Sequence, residues 1–230
     1  TKAMPRITDI DSAGWLRHIA GALESGKAQG FVPAETPETG GSFQLDLYSQ
    51  YLRMWQYTIW QTEYDKAGFD TPGKAFTCIK GEYPTELLDL INILFDRIMM
   101  NTVKPRLAYP CALDVHATYN RDQIFAALGV NNPISIREGV HYIRDKKTDV
   151  FLVTLNKSEK EFSDTTRYED YSINESLFHW QSQSTTSDVS KTGRRYITQN
   201  QTGGNVLIFV RAAKKKGSRT LPYTFLGTAH

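Results

Sequence analysis

Cysteine is scarce in this chain. Cys78 and Cys111 allow at most one disulfide and offer no metal-ligand spacing, so a reduced, cytoplasmic protein is the simplest expectation. No apolar run approaches the roughly 20 residues needed to cross a bilayer, and no membrane partner is expected. The opening "TKAMPRITDID" lacks the basic-then-apolar order of a secretory signal. The histidines His18, His116, His141, His179 and His230 do not cluster with cysteines or carboxylates at metal spacing, so neither metal nor cofactor is expected.

Catalytic signatures are missing as well. "GFDTPGKA" places Gly68, Gly73 and Lys74 at phosphate-loop spacing, but Ala75 stands where a magnesium-binding hydroxyl is required. The stretch also follows a helical pattern rather than a strand, so its amides are not set to cradle a phosphate. No nucleophile–base set emerges. The chain reads as a binding module with no catalytic residues.

What is present is aromatic and unevenly charged. The aromatic share is 12 %, with many rings in polar neighbourhoods. The formal net charge is only +2, yet residues 1–110 carry 11 Lys/Arg against 13 Asp/Glu, and residues 111–230 carry 16 against 12. From Ser187 onward, Lys191, Arg194, Arg195, Arg211, Lys214, Lys215, Lys216 and Arg219 face Asp188 alone. A basic patch on a near-neutral protein suggests a polyanion, although solvated lysine-rich turns produce the same pattern.

Hydrophobic periodicity splits the chain into a helical segment over 1–104 and a strand-rich domain over 105–230. Asp11 or Ser12 can cap a first helix carrying Trp15, Leu16, Ile19 and Leu23. A second is expected from about Phe43 to Lys66, and a third from about Thr85 to Met99 behind Pro84. "NRDQIFAALG" suggests one more short helix capped by Asn120. Strands are then expected at "GVHYIR", "DVFLVTLN", "SLFHWQSQS", "RRYITQ", "NVLIFVRA" and "PYTFLG". The fold class is α+β, a small helical bundle followed by a bent β-sheet or half-open barrel.

Residues 157–184 concentrate the groups a flat polar ligand needs: ring faces for stacking and hydrogen-bonding groups for an edge. Nucleobases fit that description. The candidate base pocket is Tyr168, Asp170, Tyr171, His179, Trp180 and Gln181, with Ser182 and Gln183 at its rim. Tyr168, Tyr171 and Trp180 would stack; Asp170, His179 and Gln181 would bond the base edge. Lys157, Arg167, Lys191, Arg194 and Arg195 would hold flanking phosphates. Strand alternation sets His179, Gln181 and Gln183 on one face and Trp180 and Ser182 on the other, so the core competes for Trp180.

The blocks "TLNKSEK", "TRYEDY" and "FHWQSQS", with "YNRDQIFAALG" before them and "GRRYI", "VLIFVR" and "PYTFLG" after, resemble a bacterial domain formerly of unknown function. It stands at the C-terminal end of superfamily II helicase proteins, often behind a phospholipase-D-type nuclease. Some such proteins are type IV, modification-dependent restriction enzymes whose C-terminal domain resembles base-flipping readers of the SRA type, within the PUA-like superfamily. The resemblance implies a non-catalytic recognition module that flips and reads 5-methyl- or 5-hydroxymethylcytosine. The implied partners are double-stranded DNA with modified cytosine and the helicase and nuclease domains of a parent chain. Two alternatives stand beside it: a docking module whose helical segment forms a homodimer, and a reader of single-stranded RNA.

Overall fold

A computed structural model describes residues 3–25, 41–78, 83–98, 103–156, 170–183 and 186–229. The chain divides into two compact units, Thr1–Arg137 and Glu138–His230. Helices and strands occur together, in an α+β fold whose mixed sheet does not close into a barrel.

The first unit holds α1 (Ala3–Thr8), α2 (Ala13–Ser25), α3 (Gly41–Ile59), α4 (Pro72–Thr77) and α5 (Tyr83–Arg97). They are followed by the two-residue strand β1 (Thr118–Tyr119) and by α6 (Arg121–Ala127). Ser12 is the residue that caps α2, its hydroxyl accepting from the Trp15 N–H at 3.2 Å. Trp15, Leu16, Ile19 and Ala22 form the buried stripe of α2, which packs against α3 and α5. Helix α3 stops seven residues before the expected Lys66. Gln61 takes a left-handed conformation (φ 56°), and the chain folds back so that the Gln56 side chain donates to the Thr62 carbonyl at 2.8 Å. Helix α6, grouped with the strand-rich part by sequence, packs against α3, and the Gln123 amide donates to the Thr58 hydroxyl at 2.8 Å.

A buried carboxylate joins three segments of this unit. Asp114 meets the Lys104 ammonium at 2.7 Å, accepts from the Ser12 hydroxyl, and accepts from the Gly14 N–H at 3.3 Å. It therefore neutralises the N-terminus of α2, where unsatisfied amides favour an anion. Burial pulls the Lys104 ammonium down, but Tyr51 and Asp114 beside it outweigh burial and hold it above the usual lysine range. Burial raises the Tyr51 hydroxyl too.

The second unit is built on β2 (Val140–Ile143), β3 (Thr148–Asn156), β6 (Asn205–Ala213) and β9 (Tyr223–Ala229), in the order β9-β6-β3-β2. Strands β2 and β3 form a hairpin, whereas β3 and β6 run parallel, from Thr148↔Asn205 to Asn156↔Ala213. Parallel neighbours require a crossover, usually helical. This explains why "RRYITQ" forms a helix rather than the expected strand. Helix α7 (Lys191–Ile197) starts at Ser190, whose hydroxyl accepts from the Gly193 N–H at 3.0 Å, and α8 (Gln199–Thr202) leads into β6. A Cβ on Gly193 would lie 1.9 Å from the Ser187 carbonyl oxygen, so only glycine permits this tight entry. The "SLFHWQSQS" strand is also shorter than expected. Among the described residues of that region, β4 (Tyr171–Ser172) pairs with β5 (Phe178–His179), and β7 (Lys215–Lys216) and β8 (Arg219–Thr220) make a second small hairpin.

Helix α7 is tied to the sheet by an ion pair. The Arg195 guanidinium grips Asp149 of β3 through Nε at 2.7 Å and a terminal nitrogen at 2.8 Å, and lies 3.9 Å from the Tyr142 ring centroid. The Asp149 side chain is only 3 % exposed. The hydrogen bonds to Asp149 raise the Arg195 guanidinium further above its ordinary range.

Two stability tests follow from these pairs. Arg195→Ala strands a buried carboxylate and is expected to cost about 3 kcal/mol in urea denaturation, with Asp149→Leu/Arg195→Met recovering most of it. Asp114→Ala should cost about 3 kcal/mol, and Lys104→Ala less, because the buried Asp114 carboxylate keeps the Ser12 hydroxyl and the Gly14 N–H as donors when the ammonium is lost. Lys104 and Tyr51 both hold their protons more tightly in the folded chain. Their stabilisation is complete below the unfolded values near about 10 and is lost as pH climbs through the raised folded values. An alkaline denaturation series should show that loss, and it should be shallower in Lys104→Met.

Candidate nucleic-acid interface

One face of the central strands carries Asp149, Phe151 and Val153 of β3 and Val206, Ile208 and Val210 of β6, because parallel partners share a face. Phe151, Val153, Val206 and Val210 form a buried cluster, against which Phe178, Trp180 and Tyr196 pack. Trp180 stacks on Phe151 with centroids 4.1 Å apart, and Tyr196 meets both rings edge-on at 5.2 and 5.5 Å. Residues 178–180 and helix α7 thus form a layer over this face. Its outer side is the candidate interface.

Alternation separates the two sides. Phe178 and Trp180 turn to the core, whereas Gln181 and Gln183 are exposed and Ser182 is half-buried. His179 pairs with Tyr171 across the β4–β5 hairpin, and their rings stack at 4.7 Å with 16° between planes. Each ring covers one face of the other, and Tyr171 is still 50 % exposed. Beyond them the hairpin turns at Asn174, whose side-chain oxygen accepts from the N–H groups of Ser176 and Leu177, both at 2.9 Å. Ile173 and Leu177 are 57 % and 56 % exposed at this tip. A rigid turn therefore presents two aliphatic side chains next to a ring pair.

Asp170 lies beneath the hairpin, 8 % exposed, with a carboxylate oxygen accepting from the Gln181 N–H at 3.0 Å. That bond fixes the start of β4 to the end of the "FHWQ" stretch. In this position one Asp170 carboxylate oxygen organises backbone. Lys191 and Arg194 are exposed on α7. Arg195 points inward to Asp149, and Arg211, counted by sequence among the basic stretch, is buried with its guanidinium 4.3 Å from the Tyr223 ring centroid.

The structure thus brings Asp170, Tyr171, His179, Gln181, Ser182 and Gln183 together in one short region. It packs Trp180, half-buried, against the core cluster. Tyr168, Lys157 and Arg167 lie outside the described residues. Sequence reasoning missed Phe151 and Tyr196 as ring partners of Trp180, and Tyr142 as the platform under Arg195. The available signal was the capping pattern "S-x-x-G" at Ser190–Gly193. Reading it as a helix start places Arg195 and Tyr196 on a helix rather than a strand.

No curated protein matches the chain. A family model described as "Domain of unknown function (DUF3427)" matches residues 113–230. The match covers just over half the chain, contains both small hairpins and α7, and begins at Leu113, beside the Asp114 carboxylate of the helical unit. This chain belongs to the DUF3427 family.

Proposed function

We propose that residues 138–230 act as the DNA-recognition part of a modification-dependent restriction enzyme, holding a swung-out modified cytosine without catalysing its cleavage. The observation that carries this reading is the stacked Tyr171–His179 pair, with Tyr171 half-open to solvent, in a connection whose helix α7 exposes the cations Lys191 and Arg194. Base–aromatic stacking contributes about 1–3 kcal/mol per base, enough to offset the few kcal/mol that extruding a base requires. Gln181 and Gln183 are exposed and carry amides that can bond either polarity of a base edge. The resemblance of the "TRYEDY" and "FHWQSQS" blocks to helicase-linked, SRA-like domains supports the choice of modified cytosine and of a parent helicase–nuclease.

Trp180 takes no part in stacking on this reading, because its ring is committed to Phe151. The base would lean on Tyr171 and His179.

A second reading draws on Ile173 and Leu177. Two exposed aliphatic side chains on a rigid turn also suit a protein partner, such as another domain of the parent chain or a second copy. It predicts no nucleic-acid binding and a mass that rises with concentration in light scattering.

Fluorescence anisotropy with matched methylated, hydroxymethylated and unmodified duplexes separates these readings. The reader requires tighter binding of a modified duplex by about 1–3 kcal/mol, the value of one methyl-sized group in a fitted pocket. Tyr171→Ala should weaken binding by about 1–3 kcal/mol. Equal affinity for all three duplexes would remove the reader and leave general DNA binding.

A further inference from the structure

We propose that the β7–β8 hairpin is a phosphate-gripping arm that holds the DNA backbone. This rests on the DNA-recognition reading and adds an interaction which that reading does not contain. The hairpin leaves β6 almost without a break, since β6 ends at Ala213 and β7 begins at Lys215. It is closed at its base by the Leu221 N–H donating to the Lys214 carbonyl at 3.1 Å. Its two-residue tip is turned by Gly217 in a left-handed conformation (φ 62°). The arm is therefore short, ordered and hung on a central strand of the sheet.

Its charge pattern works against its own pairing. Lys215 stands opposite Thr220, and Lys216 stands directly opposite Arg219. Cross-strand partners share a face, and like charges placed there destabilise a hairpin. No aspartate or glutamate follows Asp188 in the sequence, and residues 214–219 contain four cations. All four paired residues of β7 and β8 are exposed. A tip held in this geometry solely for folding would be better served by neutral or opposite charges. An anion bridging Lys216 and Arg219 reverses the sign of the interaction, and the planar fork of an arginine suits a phosphate in particular.

Four cations within residues 214–219 suit the repeated charges of a polyanion better than a single ion. Duplex DNA presents charges at this density along its backbone. A two-stranded ribbon is also narrow enough to lie along or within the major groove. Gripping phosphates carries no sequence information. It fixes orientation, while the Tyr171–His179 region is left to discriminate the base.

The test measures binding of the full chain to a fluorescent duplex across a KCl series, using Lys215→Ala/Lys216→Ala/Arg219→Ala. Removing one phosphate-bound cation flattens the slope of log K against log salt by about 1, so a reduction of about 3 is expected. The weakening should be equal for methylated and unmodified duplexes. The single variant Lys216→Ala should flatten the slope by about 1 while the melting temperature stays unchanged or rises, because a repulsive pair has been removed. A slope that the triple variant leaves unchanged overturns the arm and leaves the DNA-recognition reading standing. Absence of duplex binding by the unaltered chain overturns both.

Discussion

The parallel pairing of β3 with β6 is the constraint on which the second unit depends. Two strands running the same way cannot be joined by a tight turn, so the chain between Asn156 and Asn205 must cross back over the sheet. That crossover contains β4, β5, α7 and α8. Everything in the candidate interface therefore belongs to one connection, and its position is set by how that connection is fastened to the strands beneath it.

Two fasteners of different character do this. The Asp149–Arg195 pair is directional. It uses a buried carboxylate and a two-point grip, and the guanidinium lies over the Tyr142 ring. The Phe151–Trp180–Tyr196 cluster is apolar and locates the chain by area and ring geometry. Together they decide which residues of the crossover face outward. Trp180 and Arg195 take part in fastening, and Tyr171, Gln181, Lys191 and Arg194 are exposed.

The helical unit follows the same logic around Asp114. A single carboxylate closes the N-terminus of α2 and accepts the Lys104 ammonium, so segments far apart in sequence share one buried charge. The family match begins at Leu113 and runs through α6, which packs on α3. The family region therefore includes residues whose partners lie before it, and the compact units do not coincide with the matched span.

Local rules made much of this legible from sequence alone. The Ser12 cap, the apolar stripe of α2, the short helix after Asn120 and the strands at β2, β3, β6 and β9 all follow from periodicity and capping within a few residues. The outward parity of Gln181 and Gln183 against the inward parity of Trp180 follows from alternation. The sequence by itself therefore determined an α+β chain with a polar, aromatic, cation-flanked stretch. Only the tertiary structure decided that "RRYITQ" is a helix, since the demand comes from a parallel partner of β3 that no short window contains. It also decided that Trp180 and Arg195 serve the fold rather than the surface. Each is assigned by a residue at least 29 positions away, Phe151 and Asp149 respectively, and side-chain chemistry alone does not reveal which distant neighbour will claim it.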